Sequence, residues 1–287
     1  MNEFVRLFDS IAAPNLNGKR SSQFGLIAFD RDSRNVLEFG DANTQQEVID
    51  DITEFDHAAL DCKTIIGEAP TGSTVPCDEN GPLDVLIILD HSNSIKPENI
   101  IDVRNAMGEL VNEFDNVGDG DYSVKFALLT YNDKVKPEML FNDTASSTRE
   151  GTLAAINNQS MIRRKNTRTD LALEFADNVV FTPEAGDRDF AFNVLILVTD
   201  GRTMKAKYQK HTIRNAASIK ARNGTKEVAI FLLGLPGGRA KNRDIQQQEW
   251  NEIPTAPKST HFQNFDHFDD LLPFIKELSL RVCASGR

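Results

Sequence analysis

Three runs of branched apolar side chains mark the chain. They are Asp84-Val-Leu-Ile-Ile-Leu-Asp90, Phe192-Asn-Val-Leu-Ile-Leu-Val-Thr199 and Glu227-Val-Ala-Ile-Phe-Leu-Leu233. Runs without polar alternation predict strands buried on both faces, as in a parallel sheet. Helical spacing fills the intervals. Behind Pro97, which suits a first helical turn, Ile100, Val103, Met107, Leu110, Val111 and Phe114 share one face. Phe268, Leu271, Leu272, Ile275, Leu278 and Val282 do the same in a last helix over 267–281. Further helices are predicted near 146–157, 168–179, 203–222 and 240–251. Further strands are predicted near 123–131 and 135–141, with a short one at His261-Phe262. Strands alternating with helices predict an α/β domain built on a parallel sheet.

The pattern before residue 83 matches part of the pattern after it, at an offset of about one hundred residues. Glu3-Phe-Val-Arg-Leu-Phe-Asp-Ser-Ile11 matches Glu109-Leu-Val-Asn-Glu-Phe-Asp-Asn-Val117, and Phe24-Gly-Leu-Ile-Ala-Phe-Asp30 matches Phe126-Ala-Leu-Leu-Thr-Tyr-Asn132. The first copy opens inside its first helix and stops before Pro70-Thr-Gly-Ser-Thr-Val-Pro76, a stretch of turn formers. Residues 1–70 therefore read as a truncated repeat, 71–82 as a linker and 83–287 as a complete domain. Strands near 22–30 and 34–39 would form a hairpin with an unpaired edge, so residues 1–75 are expected to be the less stable part.

Composition narrows the function classes. A net charge of −11 argues against binding a phosphate backbone. The most basic stretch, Met161-Ile-Arg-Arg-Lys-Asn-Thr-Arg168, reads as a solvated loop. No apolar run approaches the ~20 residues that span a bilayer, and residues 1–20 lack the order of a signal peptide. Of three cysteines, Cys62, Cys77 and Cys283, at least one must stay outside any pairing within the chain. Asn142, Asn158 and Asn223 open glycosylation sequons, which lean weakly toward secretion.

The candidate chemistry lies where two of the apolar runs stop. The first ends at Asp90, with Ser92 and Ser94 at alternate positions; the second runs into Asp200-Gly201. Both carboxylates should sit at the carboxyl edge of the sheet, where open α/β sheets place ligands. Asn166-Thr-Arg-Thr-Asp170 opens a helix between them, and the Thr167 hydroxyl could cap that helix or reach a metal. Carboxylates and hydroxyls make a hard, all-oxygen site suited to Mg²⁺ rather than zinc. A strand end followed by a capping turn is the plainer alternative for Asp90, Ser92 and Ser94.

These segments together resemble the von Willebrand factor A domain: Asp90-x-Ser92-x-Ser94, Thr167-Arg-Thr169 and Asp200-Gly201, in order, with Gly234 after the fifth strand. The resemblance spans about 83–283, and residues 3–69 match the same family in truncated form. It implies a doubly wound, mostly parallel six-stranded sheet flanked by helices, Rossmann-like in plan. It also implies a metal-ion-dependent adhesion site, with Asp90, Ser92, Ser94, Thr167 and Asp200 as ligands, direct or through water. Mg²⁺ is the expected cation, with Mn²⁺ or Ca²⁺ as alternatives, and an open coordination position would accept an acidic side chain of a protein partner. Thr169 and Gly201 are expected to support the ligands. The family often has Gly where Lys165 stands, and this cation could moderate the metal or meet an acidic ligand. His91 is expected to be exposed at the ligand face; His57, His211, His261 and His267 show no ligand spacing and read as surface residues.

In extracellular members of this family, cysteines placed like Cys77 and Cys283 often pair, which would leave Cys62 single. The first copy lacks the Asp-x-Ser-x-Ser turn and the Asp-Gly, so it is expected to hold no metal. The leading reading is an extracellular, matrix-type adhesion module that is not an enzyme and belongs to a longer tandem-domain protein. The alternatives are an intracellular scaffold of the same fold and a metal-assisted hydrolase. The last is disfavoured because no nucleophile elbow, zinc-protease helix or phosphate loop occurs.

Overall fold

The computed structural model describes residues 26–28, 34–37, 82–222, 224–237 and 243–285. The chain divides into two compact units, Met1–Ser73 and Thr74–Arg287. In the first, β1 (Leu26–Ala28) pairs antiparallel with β2 (Arg34–Leu37). The rest of the proposed first copy, with His57 and Cys62, lies outside the described residues, as do Cys77 in the proposed linker and Asn223.

The second unit is built on β3 (Leu83–Asp90), β4 (Val124–Tyr131), β5 (Val135–Met139), β6 (Phe192–Thr199), β7 (Val228–Gly234) and β8 (Phe262–Asn264). They form one sheet in the order β5-β4-β3-β6-β7-β8. Every pairing is parallel except the edge hairpin β4–β5. The chain winds outward from β3 in both directions, so the fold is the doubly wound, mostly parallel, six-stranded sheet that the sequence pattern and resemblance predict.

Side-chain alternation along β3 sorts the core into two layers. Val85, Ile87 and Leu89 pack with the apolar faces of α1 (Pro97–Asn112) and of the carboxyl-terminal helix (Leu271–Ser285). Leu86 and Ile88 face α3 (Thr169–Phe175) and α4 (Ala206–Lys220) on the other side. A short α2 (Arg149–Asn158) follows β5; α5 (Arg243–Glu252) and α6 (Lys258–His261) precede β8, and α7 is Leu271–Ser285. The predicted face of α1 is buried throughout, while on α7 Leu271, Ile275, Leu278 and Val282 are buried and Leu272 is 51% exposed. The helix expected over 168–179 ends earlier: after Phe175 the chain widens into a π-turn at Ala176–Val180, where Arg222 ties down the carbonyls of Asp177 and Phe181.

The β4–β5 hairpin and the β1–β2 hairpin share one register. Leu128, Leu129 and Thr130 pair with Met139, Pro137 and Lys136, and a shift follows the first pair. Leu26, Ile27 and Ala28 pair with Leu37, Asn35 and Arg34, with a shift at the same step.

Candidate metal centre

Parallel pairing in register carries Asp90 and Thr199 to one sheet edge, because β3 and β6 align Leu89 with Val198. Asp90 is 3% exposed. One of its oxygens accepts the Ser92 amide (2.7 Å), and the other accepts the Thr199 hydroxyl (2.7 Å). Ser92 and Ser94 join through their hydroxyls (2.9 Å), and Ser94 donates to Asp200 Oδ1 (2.9 Å). Asp90, Ser92, Ser94 and Asp200 are thus one continuous oxygen cluster.

Thr167 arrives on the loop between α2 and α3. That loop is sewn to the Asp90 turn by Asn93 N donating to Arg164 O (2.8 Å), and to the β6–α4 loop by Met204 N donating to Thr167 O (2.8 Å). Thr167 is 8% exposed. The helix begins at Thr169 with Arg168 before it, so Thr167 stands outside the cap position. Thr169 supports from behind: its hydroxyl meets the Tyr131 hydroxyl (3.2 Å), beside Asp90. Lys165 is exposed on the same loop.

Electrostatics set the centre apart. Burial pushes the Asp90 carboxyl upward. Burial and the neighbouring Asp90 charge raise Asp200 to about 7. Among the described residues no Lys, Arg or His pairs with either carboxylate. Asp200 Oδ2 is buried without a hydrogen-bond partner. Two like charges sheltered from water and unmatched by a cationic side chain are stable as a pair only if a proton or a cation joins them. The remaining donors are neutral hydroxyls, and among the described residues no cluster of three or more His, Cys, Asp or Glu competes for the role. The set fits a hard divalent cation.

Behind Asp200 stands a shell of contacts that sequence reading missed. From α5, buried Glu249 accepts the Thr203 amide (2.9 Å) and hydroxyl (2.7 Å), Trp250 Nε1 donates to Gly201 O (3.3 Å) and Gln246 to Asp200 O (3.5 Å). The segment after β7 closes in as well. A Cβ on Gly237 would stand 2.7 Å from Asp200 Oδ2, and one on Gly234 2.5 Å from the Trp250 ring. Of these, only Pro236-Gly-Gly and Gly234 left a signal in sequence.

Two histidines correct the sequence expectation. His91 is 2% exposed, not at the ligand face: its side chain points from the strand end away from the oxygen cluster, into the protein near Gln159 and Ser160, where burial lowers its basicity. His261 is 8% exposed, packed on Phe231 with ring centroids 4.6 Å apart. His211 and His267 are exposed as expected. Asn142 and Asn158 are both exposed. Cys283, 3% exposed, is disulfide-bonded.

The von Willebrand factor type A domain family matches residues 84–277. Human collagen alpha-5(VI) chain is 29% identical over 278 residues, covering 94% of this chain and 9% of that protein. Bovine matrilin-1 is 26% identical over 243 residues, covering 78% of this chain and 41% of its own length. The chain thus spans well under half of these relatives. Among solved structures, proximal thread matrix protein 1 from the mussel byssus, with a zinc-occupied MIDAS motif, aligns with TM-score 0.59 and 17% identity over 98% of this chain and 89% of that one. Manganese-loaded Plasmodium vivax TRAP protein aligns with TM-score 0.52 and 18% identity over 70% and 74%. At these identities the two structures speak to the fold.

Proposed function

The chain belongs to the von Willebrand factor type A domain family, and from that premise we propose that it is a cation-dependent protein-binding module of the extracellular matrix. The observation that carries the reading is the pair of buried carboxylates, Asp90 and Asp200, with no cationic side chain to match them. Asp90, Ser92, Ser94, Thr167 and Asp200 would hold the ion. A bound divalent cation would supply an electrophilic centre for a carboxylate of a protein ligand. The chain's own residues do the rest: hydroxyls keep the donor set from saturating the ion's charge, Thr199 and Tyr131 hold the Asp90 carboxylate, and Glu249 holds the loop after Asp200 through Thr203. Mg²⁺ is the first choice for this oxygen set, with Mn²⁺ or Ca²⁺ as alternatives. The zinc and manganese named for the two neighbouring structures support a divalent ion without selecting one.

Collagen and matrilin relatives support placement outside the cell. The disulfide at Cys283 fits an oxidising compartment better than an intracellular scaffold. Cys77 is its proposed partner, tying the ends of the domain together. The shared hairpin register supports reading residues 1–70 as a truncated repeat, before a linker at 71–82 and a complete domain at 83–287. Among the described residues around the centre, none beyond the proposed ligands offers a base for hydrolysis, which supports binding rather than catalysis as its role. Among the described residues no helix is long and apolar enough to cross a membrane.

The test is a pull-down from matrix extracts in Mg²⁺, with Asp90→Ala as control. Capture lost in both chelator and variant is expected; capture that survives both would sink the proposal.

A further inference from the structure

The amino edge of the sheet, opposite the metal centre, carries two aromatic rings in water: Tyr122 is 67% exposed and Phe190 59%. Both are rooted on one guanidinium. Arg188 donates to Gly120 O (3.0 Å) and to Ser123 O (2.9 Å), on either side of Tyr122, and its guanidinium carbon lies 5.6 Å from the Phe190 ring. Ser123 N donates to Gly120 O (3.2 Å) and closes the turn that presents Tyr122. Arg188 is itself paired with buried Asp84 (2.8 Å), so the rings stand on a fixed base. Exposed carboxylates surround them, from Asp119, Asp121 and Asp189. The nearby cations are engaged. Lys125 meets Asp119 (2.6 Å), and Lys226 is divided between buried Asp187 (2.7 Å) and Asp189 (2.6 Å). Arg149 donates to the carbonyls of Val111, Phe114 and Asp115. Asp121 pairs with no cation among the described residues. What this edge offers a partner is therefore aromatic and acidic. It does not suit a bare metal ion, since among the described residues no three or more His, Cys, Asp or Glu converge to hold one.

We propose that this edge is a second docking surface, for an arginine-bearing segment of a partner protein. A guanidinium keeps its charge, stacks on an aromatic face and forks onto a carboxylate, so one arginine uses a ring and a neighbouring aspartate together. Lysine, a compact and strongly hydrated charge, gains less from the rings. The two ends of the sheet are far apart. β3 runs over 8 residues, so at about 3.3 Å per residue roughly 26 Å separate this surface from the metal centre. Charges at that distance are screened from each other, the Debye length being about 8 Å at physiological salt. A cationic segment here and an acidic ligand at the cation can therefore bind at once and independently, and the domain can bridge two partners of opposite charge.

The test measures binding of a short amidated Gly-Arg repeat peptide to the full chain by fluorescence anisotropy, in EDTA and in Mg²⁺. Expected are equal affinities in both, and a Gly-Lys repeat of the same length bound at least about threefold more weakly. Tyr122→Ala with Phe190→Ala leaves the charge of the chain unchanged and should weaken the Gly-Arg peptide about tenfold, the worth of two exposed cation–ring contacts. Both rings are exposed, so the variant keeps its fold. Leu272→Ala with Leu280→Ala trims exposed apolar side chains on α7 instead and should change affinity less than about twofold. No binding at low salt, equal affinity for the lysine peptide, or equal losses in the two double variants would each overturn the proposal, the last two by showing only a general attraction to an acidic protein. Binding lost in EDTA would place the peptide at the metal centre and overturn it too. A chain that shows no response to Mg²⁺ but binds the peptide as described would count against the metal centre and leave this surface standing.

Discussion

Strand β3 carries a buried aspartate near each end, and the two are treated in opposite ways. Asp84, 0% exposed, is enclosed by Arg188: Nε donates to Oδ1 (2.8 Å) and the Arg188 amide to Oδ2 (2.7 Å). The rest of that guanidinium donates to the carbonyls of Leu83, Gly120 and Ser123. Every donor has an acceptor and the charge is closed. At the other end Asp90 accepts only neutral donors, from Ser92 and Thr199, and faces a second carboxylate that has a neutral donor on one oxygen and none on the other. One end is a finished structural ion pair. The other is a charge deficit held in place by hydrogen bonds. Burial of an aspartate on a strand is therefore no sign of function; the missing counter-charge is.

The comparison breaks most visibly if its structural end is opened. Arg188→Leu would strand the Asp84 carboxylate in the core and should cost about 3–5 kcal/mol, read from urea unfolding at neutral pH. Asp200→Asn keeps an acceptor for Ser94 and removes one of two like charges. In chelator it should leave stability within about 1 kcal/mol of the parent or raise it. If Asp200→Asn proved as destabilising as Arg188→Leu, the two ends would not differ as argued.

A pH series sharpens the same contrast. Burial lifts Asp84 to about 6 even against the pull of Arg188. The folded value lies above the unfolded one, so the stabilising contribution is complete below about pH 4 and is lost as pH rises through about 6. Across that window it amounts to at most about 3 kcal/mol. Asp84→Asn should flatten this part of the stability profile measured by urea titration. A slope that survives the substitution would assign the effect to other groups.

Cation addition probes the open end. At about one hundred times its dissociation constant, Mg²⁺ should stabilise the domain by about 2.7 kcal/mol, seen as a rise in melting temperature. Asp200→Asn and Asp90→Ala should abolish the rise, and Arg188→Lys should keep it.

Sequence alone made one class of these features legible. The runs that stop at Asp90 and Asp200 announce buried strands, and strands of one parallel sheet bring their carboxyl ends together, so the residues proposed here as metal ligands could be picked out from position. The partners could not. Arg188 reaches Asp84 across the fold, and Glu249 reaches Thr203 from a helix after the next strand. No local pattern specifies such pairs, since both residues read as ordinary surface charges. His91 failed for a related reason. Between two polar residues it looks exposed, but it sits just past the end of β3 and is covered by Gln159 and Ser160, which lie far away in sequence.

The smallest expected effect tests whether the hydrogen bonds behind Asp90 matter to the open end and not to the closed one. Thr199→Val conserves shape and removes the donor that holds Asp90 Oδ2 at 2.7 Å. Residues that orient metal ligands typically cost 10- to 100-fold in affinity when lost. Because the Ser92 amide still holds the other oxygen, we expect the low end, a loss of about tenfold or about 1.4 kcal/mol in Mg²⁺ affinity by calorimetry. Ser123→Ala is the matched change at the other end. It removes a hydroxyl that touches Arg188 (3.1 Å) and should leave Mg²⁺ affinity unchanged. Equal losses in the two variants would mean that cation binding reports general stability, and the distinction between the ends of β3 would fall.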